Sequence, residues 1–246
     1  LYDLAYGVFY ANAGGGAFNA GTPQQASEEP KPEPEEPTEG GSDTPVDDLP
    51  DDYIRVEYLE STPNGGQYIN TGYAVKHNTC IVADFNPLKK AANWEVFFGA
   101  IRKDEPTDGL LLRYSEFDYI NGWFYTSNAG NWGEASIQGY ANKRITATLQ
   151  AKSLTVDDGV TRKSADIATK VGADYYNGPI YIFGCNNAAS GDKPWRPHAM
   201  RLYSFQIYEG DELKLDFVPC IRTKDKVAGL YDLAKGEFYA NAGQGQ

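Results

Sequence analysis

Residues 200–220 read MRLYSFQIYEGDELKLDFVPC, two β-prone runs on either side of Gly210-Asp211. With unbroken alternation, Leu202, Ser204, Gln206 and Tyr208 face one way and Tyr203, Phe205 and Ile207 the other. A Gly-Asp pair between two such runs suits a tight turn that needs positive φ, so the stretch is expected to be an antiparallel hairpin. The same reading applies upstream. In RITATLQ (144–150), Ile145, Ala147 and Leu149 oppose Thr146, Thr148 and Gln150, and Asp158-Gly159 separates SLTVD from VTRK. Alternation of this kind marks a sheet with one face on a core and the other in water.

Working outward from these hairpins, short β-prone runs punctuated by turn residues fill the chain from Tyr53 onward: YIRVEYLE, QYINTGY, TCIVADF, WEVFFGAI, GLLLRYS, GWFYTS, PIYIFGC and LKLDFVP, besides those already quoted. No segment sustains a 3.6-residue apolar period. Many short strands without intervening helices define an all-β class, a two-sheet antiparallel sandwich whose consecutive strands are expected to be neighbours.

The chain also repeats itself. Residues 1–17, LYDLAYGVFYANAGGGA, match residues 230–246, LYDLAKGEFYANAGQGQ, except at Tyr6/Lys235, Val8/Glu237, Gly15/Gln244 and Ala17/Gln246. Self-similarity at a fixed offset is the mark of a tandem repeat. Residues 1–18 are therefore expected to be the C-terminal strand segment of a preceding repeat, 19–52 a linker and 53–246 the sandwich. Pro23, Pro30, Pro32, Pro34, Pro37, Pro45 and Pro50 lie in the linker among glutamates and aspartates. Proline fixes extended backbone and like charges repel, so it reads as a stiff, extended spacer.

The linker also explains the charge. Eleven acidic side chains between Glu28 and Asp52 stand against Lys31 alone, which accounts for ten of the twelve net negative charges. The acidity thus says little about a binding surface, and no basic stripe is present to neutralise phosphates, which argues against nucleic acid as partner. No stretch approaches the roughly 18 apolar residues of a membrane span, so no membrane insertion is expected. Cys80, Cys185 and Cys220 lie far apart without C-x-x-C spacing, which disfavours a structural zinc and leaves buried thiols or at most one bridge.

Taken together, YIRVEYLESTPNGGQYINTGY (53–73), MRLYSFQIYEGDELKLDFVPC (200–220) and GLYDLAKGEFYANAG (229–243) resemble the concanavalin A-like, laminin-G-like jelly-roll module. That module recurs in phage tail fibre and minor structural proteins and in repetitive surface proteins of gut bacteria. The resemblance spans residues 53–246. It implies two curved antiparallel sheets, a concave face with rim loops, and a role in attachment or recognition at an extracellular site, a cell surface or a virion. Related lectin-like folds bind sugars there, sometimes through calcium; the quoted motifs themselves are framework strands, and no catalytic motif carries across.

Catalytic chemistry finds no support in the residues. Retaining glycoside hydrolases of similar fold share E-x-D-x-x-E, because acid and nucleophile must stand about 5 Å apart. Here Glu116-Phe117-Asp118 is followed by Tyr119, Ile120 and Asn121, so the pair reads as two carboxylates on the solvent side of a strand. His77 and His198, the only histidines, lie outside any triad context and read as surface or loop residues. The chain is expected not to be an enzyme and to need no cofactor. Calcium is one alternative at Asp104, Glu105 and Asp108 or at Asp157-Asp158, although turn aspartates are explained by backbone hydrogen bonding alone.

The richest candidate surface is aromatic. Tyr114, Phe117, Tyr119, Trp123, Phe124, Tyr125 and Trp132 interleave with Asn121, Asn128 and Asn131, and a later polar loop, Asn186 to His198, carries Trp195 and Arg196. Alternation sends half of these rings to the core, and the remainder suit the apolar face of a sugar, with amides for its hydroxyls. The expected ligand-binding set is Trp123, Tyr125, Asn128, Asn131, Trp132, Trp195 and Arg196, and the expected partner is a glycan or cell-surface polymer. The alternative is a fibre subunit that assembles through Leu1, Tyr2, Leu4, Phe9 and Tyr10, whose strand pair packs on or extends the sheet of a neighbouring copy.

Overall fold

Alternation is realised most fully in the Thr79–Pro87 strand, where every second residue from Thr79 is buried. Ile81, Ala83 and Phe85 are wholly inaccessible, as are Ala147 and Leu149 in the neighbouring Ile145–Gln150 strand. The computed structural model describes residues 49–62, 66–88, 94–102, 109–115, 117–125, 134–140, 142–167, 176, 178–191 and 193–243. It also gives the backbone of the short strands Tyr2–Asp3, Val8–Phe9 and Asn19–Ala20. Among the described residues every regular element is a β-strand, and no helix is long and apolar enough to cross a membrane.

Two sheets face each other. The larger runs Arg162–Asp166, Ser153–Asp157, Ile145–Gln150, Thr79–Pro87, Met200–Glu209, Glu212–Arg222, Val227–Asp232, Glu237–Ala240, with short strands Tyr53–Arg55 and Leu59–Glu60 pairing onto Glu212–Arg222 and Met200–Glu209. The smaller runs Glu134–Gln138, Tyr119–Tyr125, Gly109–Tyr114, Glu95–Ile101, Pro179–Ile182, Ile69–Ala74. The chain is thus the all-β, two-sheet antiparallel jelly-roll sandwich that the alternation implies. The two sheets meet through rings: Phe98 stands edge-on to Phe205 at 5.1 Å, and Phe85 lies 4.6 Å from Phe97. Gly122 lets the sheets close further, since a Cβ there would meet Leu149 Cδ1 at 2.9 Å.

The Gly210-Asp211 turn joins Glu209 directly to its partner Glu212, and Gly210 has φ +63°. At the other hairpin the Asp157 and Asp158 carboxylates accept the amides of Gly159, Val160 and Thr161, and these backbone bonds hold Asp158 below the usual carboxylate range. Their chemistry is that of a turn. Asp104, Glu105 and Asp108 lie outside the described residues, among which no cluster of three His, Cys, Asp or Glu side chains converges.

Three strand expectations are corrected. In RLYSFQIY the alternation is broken: Leu202 pairs with Phe85 and Ser204 with Asp84, leaving Tyr203 as the extra residue of a bulge. Leu202, Phe205 and Ile207 are all buried, while Tyr203 and Ser204 both point outward. PIYIFGC is two strands, because Phe183 at φ +69° reverses the chain. Ile182 pairs antiparallel with Phe98, and Gly184 then pairs parallel with the same residue. Finally, consecutive strands are not always neighbours: the Thr79–Pro87 strand is in the larger sheet and the next, Glu95–Ile101, in the smaller.

The closing hairpin, Val227–Asp232 with Glu237–Ala240, forms the outer edge of the larger sheet. At the amino end, Tyr2 pairs with Phe9 and Asp3 with Val8, the same register as Tyr231 with Phe238 and Asp232 with Glu237. Leu1, Leu4 and Tyr10 lie outside the described residues.

Gly109 sits at φ +136° with the Ala100 carbonyl oxygen only 1.9 Å from where a Cβ would be. Gly109→Ala should therefore cost about 3 kcal/mol, from a clash that backbone must absorb and a conformation side chains avoid; an unchanged urea midpoint would contradict this. Cys185 and Cys220 are wholly buried free thiols, and burial pushes Cys220 up to about 12 and raises the half-buried Cys80. An aromatic disulfide reagent at neutral pH should modify at most one thiol quickly in the native chain and all three only after unfolding.

Candidate functional site on the outer face of the smaller sheet

The side chains that alternate away from the seam build a second surface on the smaller sheet. Leu110, Leu112 and Tyr114 of the Gly109–Tyr114 strand enter the main core, so Leu111 and Arg113 point out. Across the register, Arg113 faces Val96 and Asn121, and Asn121 faces Ser136. Asn121 Oδ1 accepts Arg113 Nε at 2.8 Å, and Asn121 Nδ2 donates to Ser136 Oγ at 2.9 Å. The amide thereby fixes the height and angle of the guanidinium. Its flat faces are covered by two indoles: the Trp94 and Trp123 rings each lie 3.9 Å from Arg113 Cζ.

Beside this stack lies an apolar footing. Val96, Ile101, Leu111 and Cys185 form a small buried cluster separate from the main core, and Trp123 and Trp195 pack against it half-buried. The chain that brings Trp195 there is the hairpin expected to be a long polar loop. After the reversal at Phe183, Gly184–Asn187 pairs with Pro194–Trp195, setting Cys185 opposite Trp195 and Asn186 opposite Pro194. Asn186 and Asn187 are buried rather than displayed; Asn186 Nδ2 donates to the Pro179 carbonyl at 2.8 Å, and Asn187 Oδ1 accepts the Ala189 amide. Arg196 follows at φ +48°, exposed, with its guanidinium 4.6 Å from the Trp195 ring.

Of the residues expected from sequence, Trp123 and Trp195 thus come together on one footing, with Arg196 at its edge. Tyr125 pairs through its backbone with Gly109; its side chain, and Asn128, Asn131 and Trp132, lie outside the described residues. The alternation argument holds for Tyr114 and Phe124, which are buried, while Phe117 is exposed at 62% in a turn. Sequence reasoning passed over Trp94 and Arg113, because Trp94 precedes its strand and Arg113 is a lone cation in an apolar run. No sequence signal marked them, since only the register of the Glu95–Ile101, Gly109–Tyr114 and Tyr119–Tyr125 strands brings Trp94, Arg113 and Trp123 side by side.

Two candidate groups are corrected. Asp118 is not on the solvent side of a strand: it lies in the turn between Tyr114 and Tyr119 at φ +65°, where the Tyr114 hydroxyl donates to its carboxylate. Burial and that carboxylate push the Tyr114 phenol well above its ordinary value. Glu116 lies outside the described residues. His198 is not a surface residue: its side chain is wholly buried, with Nδ1 2.5 Å from Glu95 Oε2, edge-on to Phe97 and Tyr114. It pins the return of the Trp195 hairpin to the Glu95–Ile101 strand, where the His198 amide also donates to the Val96 carbonyl. His77 is exposed.

The outer face of the larger sheet is different in kind. Arg144 lies 3.8 Å over Tyr203 and Arg201 4.5 Å over Tyr58, but Arg144 is also clamped by both oxygens of Asp84 and Arg201 by Glu60. Those carboxylates raise both guanidinium pKa values. The cations are neutralised in place, and none of the described indoles lies among them.

No protein-family model matches the chain, and no curated protein matches it in sequence. Among solved structures, the IT-sialidase CBM40 of Ruminococcus gnavus bound to α2,3-sialyllactose is 12% identical with a TM-score of 0.41, over 64% of this chain and 92% of that one. Mouse laminin α1 chain domains LG4-5 are 16% identical with a TM-score of 0.35, over 60% of this chain and 41% of that one. The Emp47p carbohydrate recognition domain is 12% identical with a TM-score of 0.31, over 65% and 90%. These values describe a likeness of strand arrangement and assign nothing to the site.

Asn121 is wholly buried and holds partners on both sides. Asn121→Ala should cost about 2 kcal/mol, because it leaves the Arg113 and Ser136 groups short of a partner. An Asn121→Ala chain with the stability of the parent would show that this row does not hold the guanidinium.

Proposed function

We propose that this chain is a non-enzymatic glycan-recognition module, and that the outer face of the smaller sheet, between the Trp94–Arg113–Trp123 stack and the Trp195–Arg196 hairpin, is its binding surface. The observation that carries the reading is the shared footing of Trp123 and Trp195. Two half-buried indoles held by a separate apolar cluster, beside a guanidinium fixed by a buried amide, form a rigid surface with an apolar floor and a few oriented donors. That composition suits a saccharide, whose ring presents C–H groups on one face and hydroxyls at its edge. The framework supports the purpose, since strands set such side chains with little freedom and the seam behind them leaves no slack.

The resemblance of the three quoted motifs to concanavalin A-like modules of repetitive surface and phage proteins supports an extracellular setting, at a cell surface or on a virion, in an adhesin or a fibre. A carboxylated or sulfated polymer is favoured over a neutral one, since the exposed Arg196 brings positive charge to the Trp195 indole.

The test is an array of neutral and acidic polysaccharides probed with the whole chain, repeated with Trp195→Ala/Arg196→Ala and with Arg144→Ala as a control on the other face. Binding should weaken at least tenfold in the double variant and stay unchanged in the control. Equal binding by all three chains, or binding by none, would overturn the reading.

A further inference from the structure

The closing hairpin shows what each residue of its sequence is for. Leu230 is wholly buried in the main core, Tyr231 packs 4.7 Å from Tyr53, and Phe238 lies under the Arg222 guanidinium. Tyr239 stands edge-on to Phe217 at 4.9 Å. Asp232 is wholly buried; its Oδ1 accepts the amides of Asp216 on the neighbouring strand and of Ala234 in the turn. Gly236 turns the chain at φ +72°.

Beyond the second strand, Asn241 Oδ1 accepts the Tyr68 amide at 3.1 Å and the Ala242 amide donates to the Tyr68 carbonyl at 2.9 Å, tying the larger sheet to the smaller. Gly243 must be glycine, because a Cβ would lie 1.9 Å from the Gly66 carbonyl oxygen.

The amino-terminal copy keeps every one of these residues: Leu1, Tyr2, Asp3, Gly7, Phe9, Tyr10, Asn12 and Gly14. Within residues 1–14 it differs only at Tyr6 and Val8, which stand for Lys235 and Glu237, and both of those are exposed. A hairpin that had no sandwich to join would have no use for an aspartate placed for a neighbouring strand's amide, for an asparagine and glycine that clip a second sheet, for two side chains that meet the main core, or for two rings that pack beside Tyr53 and Arg222. Its described backbone already has the docked register.

We infer that residues 1–14 are a second closing hairpin, built to occupy the edge beside Glu212–Arg222 of a sandwich of this same sequence, so that hairpins can be exchanged between units. The receiving edge offers the Asp216 amide and carbonyl, the Phe217 and Tyr53 rings and the Tyr68 backbone. The inference is independent of the glycan reading, since it concerns the edge of the larger sheet and not the outer face of the smaller one. Asn19–Ala20 pairs antiparallel with Leu59–Glu60 on the larger sheet of the same chain, so only residues 15–18, about 12 Å at roughly 3 Å per residue, separate the hairpin from that anchor, and the receiving edge is either this chain's own or that of a second copy lying against it.

Paired full-length variants test this. In the first, the resident hairpin is disabled by Asp232→Ala and Gly243→Val; in the second, Asp3→Ala and Gly14→Val are added. Native-state hydrogen exchange at the Asp216 and Tyr68 amides is the readout. The first variant should protect them at least tenfold more than the second, because only the first has an intact hairpin to dock. Sedimentation velocity then separates the sources: a monomer means the chain's own copy folds back, a dimer means exchange between chains. Equal protection in the two variants, including loss of folding in both, would overturn the inference.

Discussion

Everything else in the molecule depends on the dry seam between its two sheets. Phe85, Phe97, Phe98, Phe205 and Phe217 meet there with Leu149, Leu154 and Leu230, all wholly buried. A side chain of that size contributes about 1.5–3 kcal/mol when fully buried. An exposed ion pair such as Lys76–Glu209 contributes about 0–1 kcal/mol, so the apolar interlock decides the fold and the surface charges do not. The requirement that one face of each strand serve the seam leaves the other face available for chemistry, and the two outer faces have used it differently.

Keeping the seam continuous demands departures from regular strands. The bulge at Tyr203 restores Leu202 to the core side, and Gly109 and Gly122 permit approaches no side chain would allow. The same device builds the candidate site: the reversal at Phe183 sends the following hairpin over the smaller sheet, and buried His198 with Glu95 holds its return. Stability and site geometry are therefore linked through backbone irregularities rather than through the regular ladders.

That distinction marks what the sequence discloses. RITATLQ and TCIVADF are legible because period-2 alternation runs through them unbroken, and the two Gly-containing turns are legible because positive φ favours glycine. RLYSFQIY and PIYIFGC mislead, since a bulge or a left-handed Phe183 changes facing without altering composition. The polar RKSAD strand, Arg162–Asp166, is invisible to an apolar pattern because it is an exposed edge, where charge protects against unwanted pairing. At the site, Trp123, Trp195 and Arg196 could be singled out as aromatic and cationic residues in strand or loop. Trp94 and Arg113 could not, because their stack exists only through the register of strands far apart in sequence.

A glycan is the proposed partner of the indoles on the smaller sheet's outer face. Nitrogen-15 correlation spectra report that contact residue by residue, since each tryptophan contributes its own indole N–H signal. On titration with an acidic polysaccharide, the indole signals of Trp94, Trp123 and Trp195 should shift together, while the backbone amides of Arg144, Tyr203 and the closing hairpin stay in place. Shifts confined to the Arg144–Tyr203 face, with the indoles unmoved, would contradict the account.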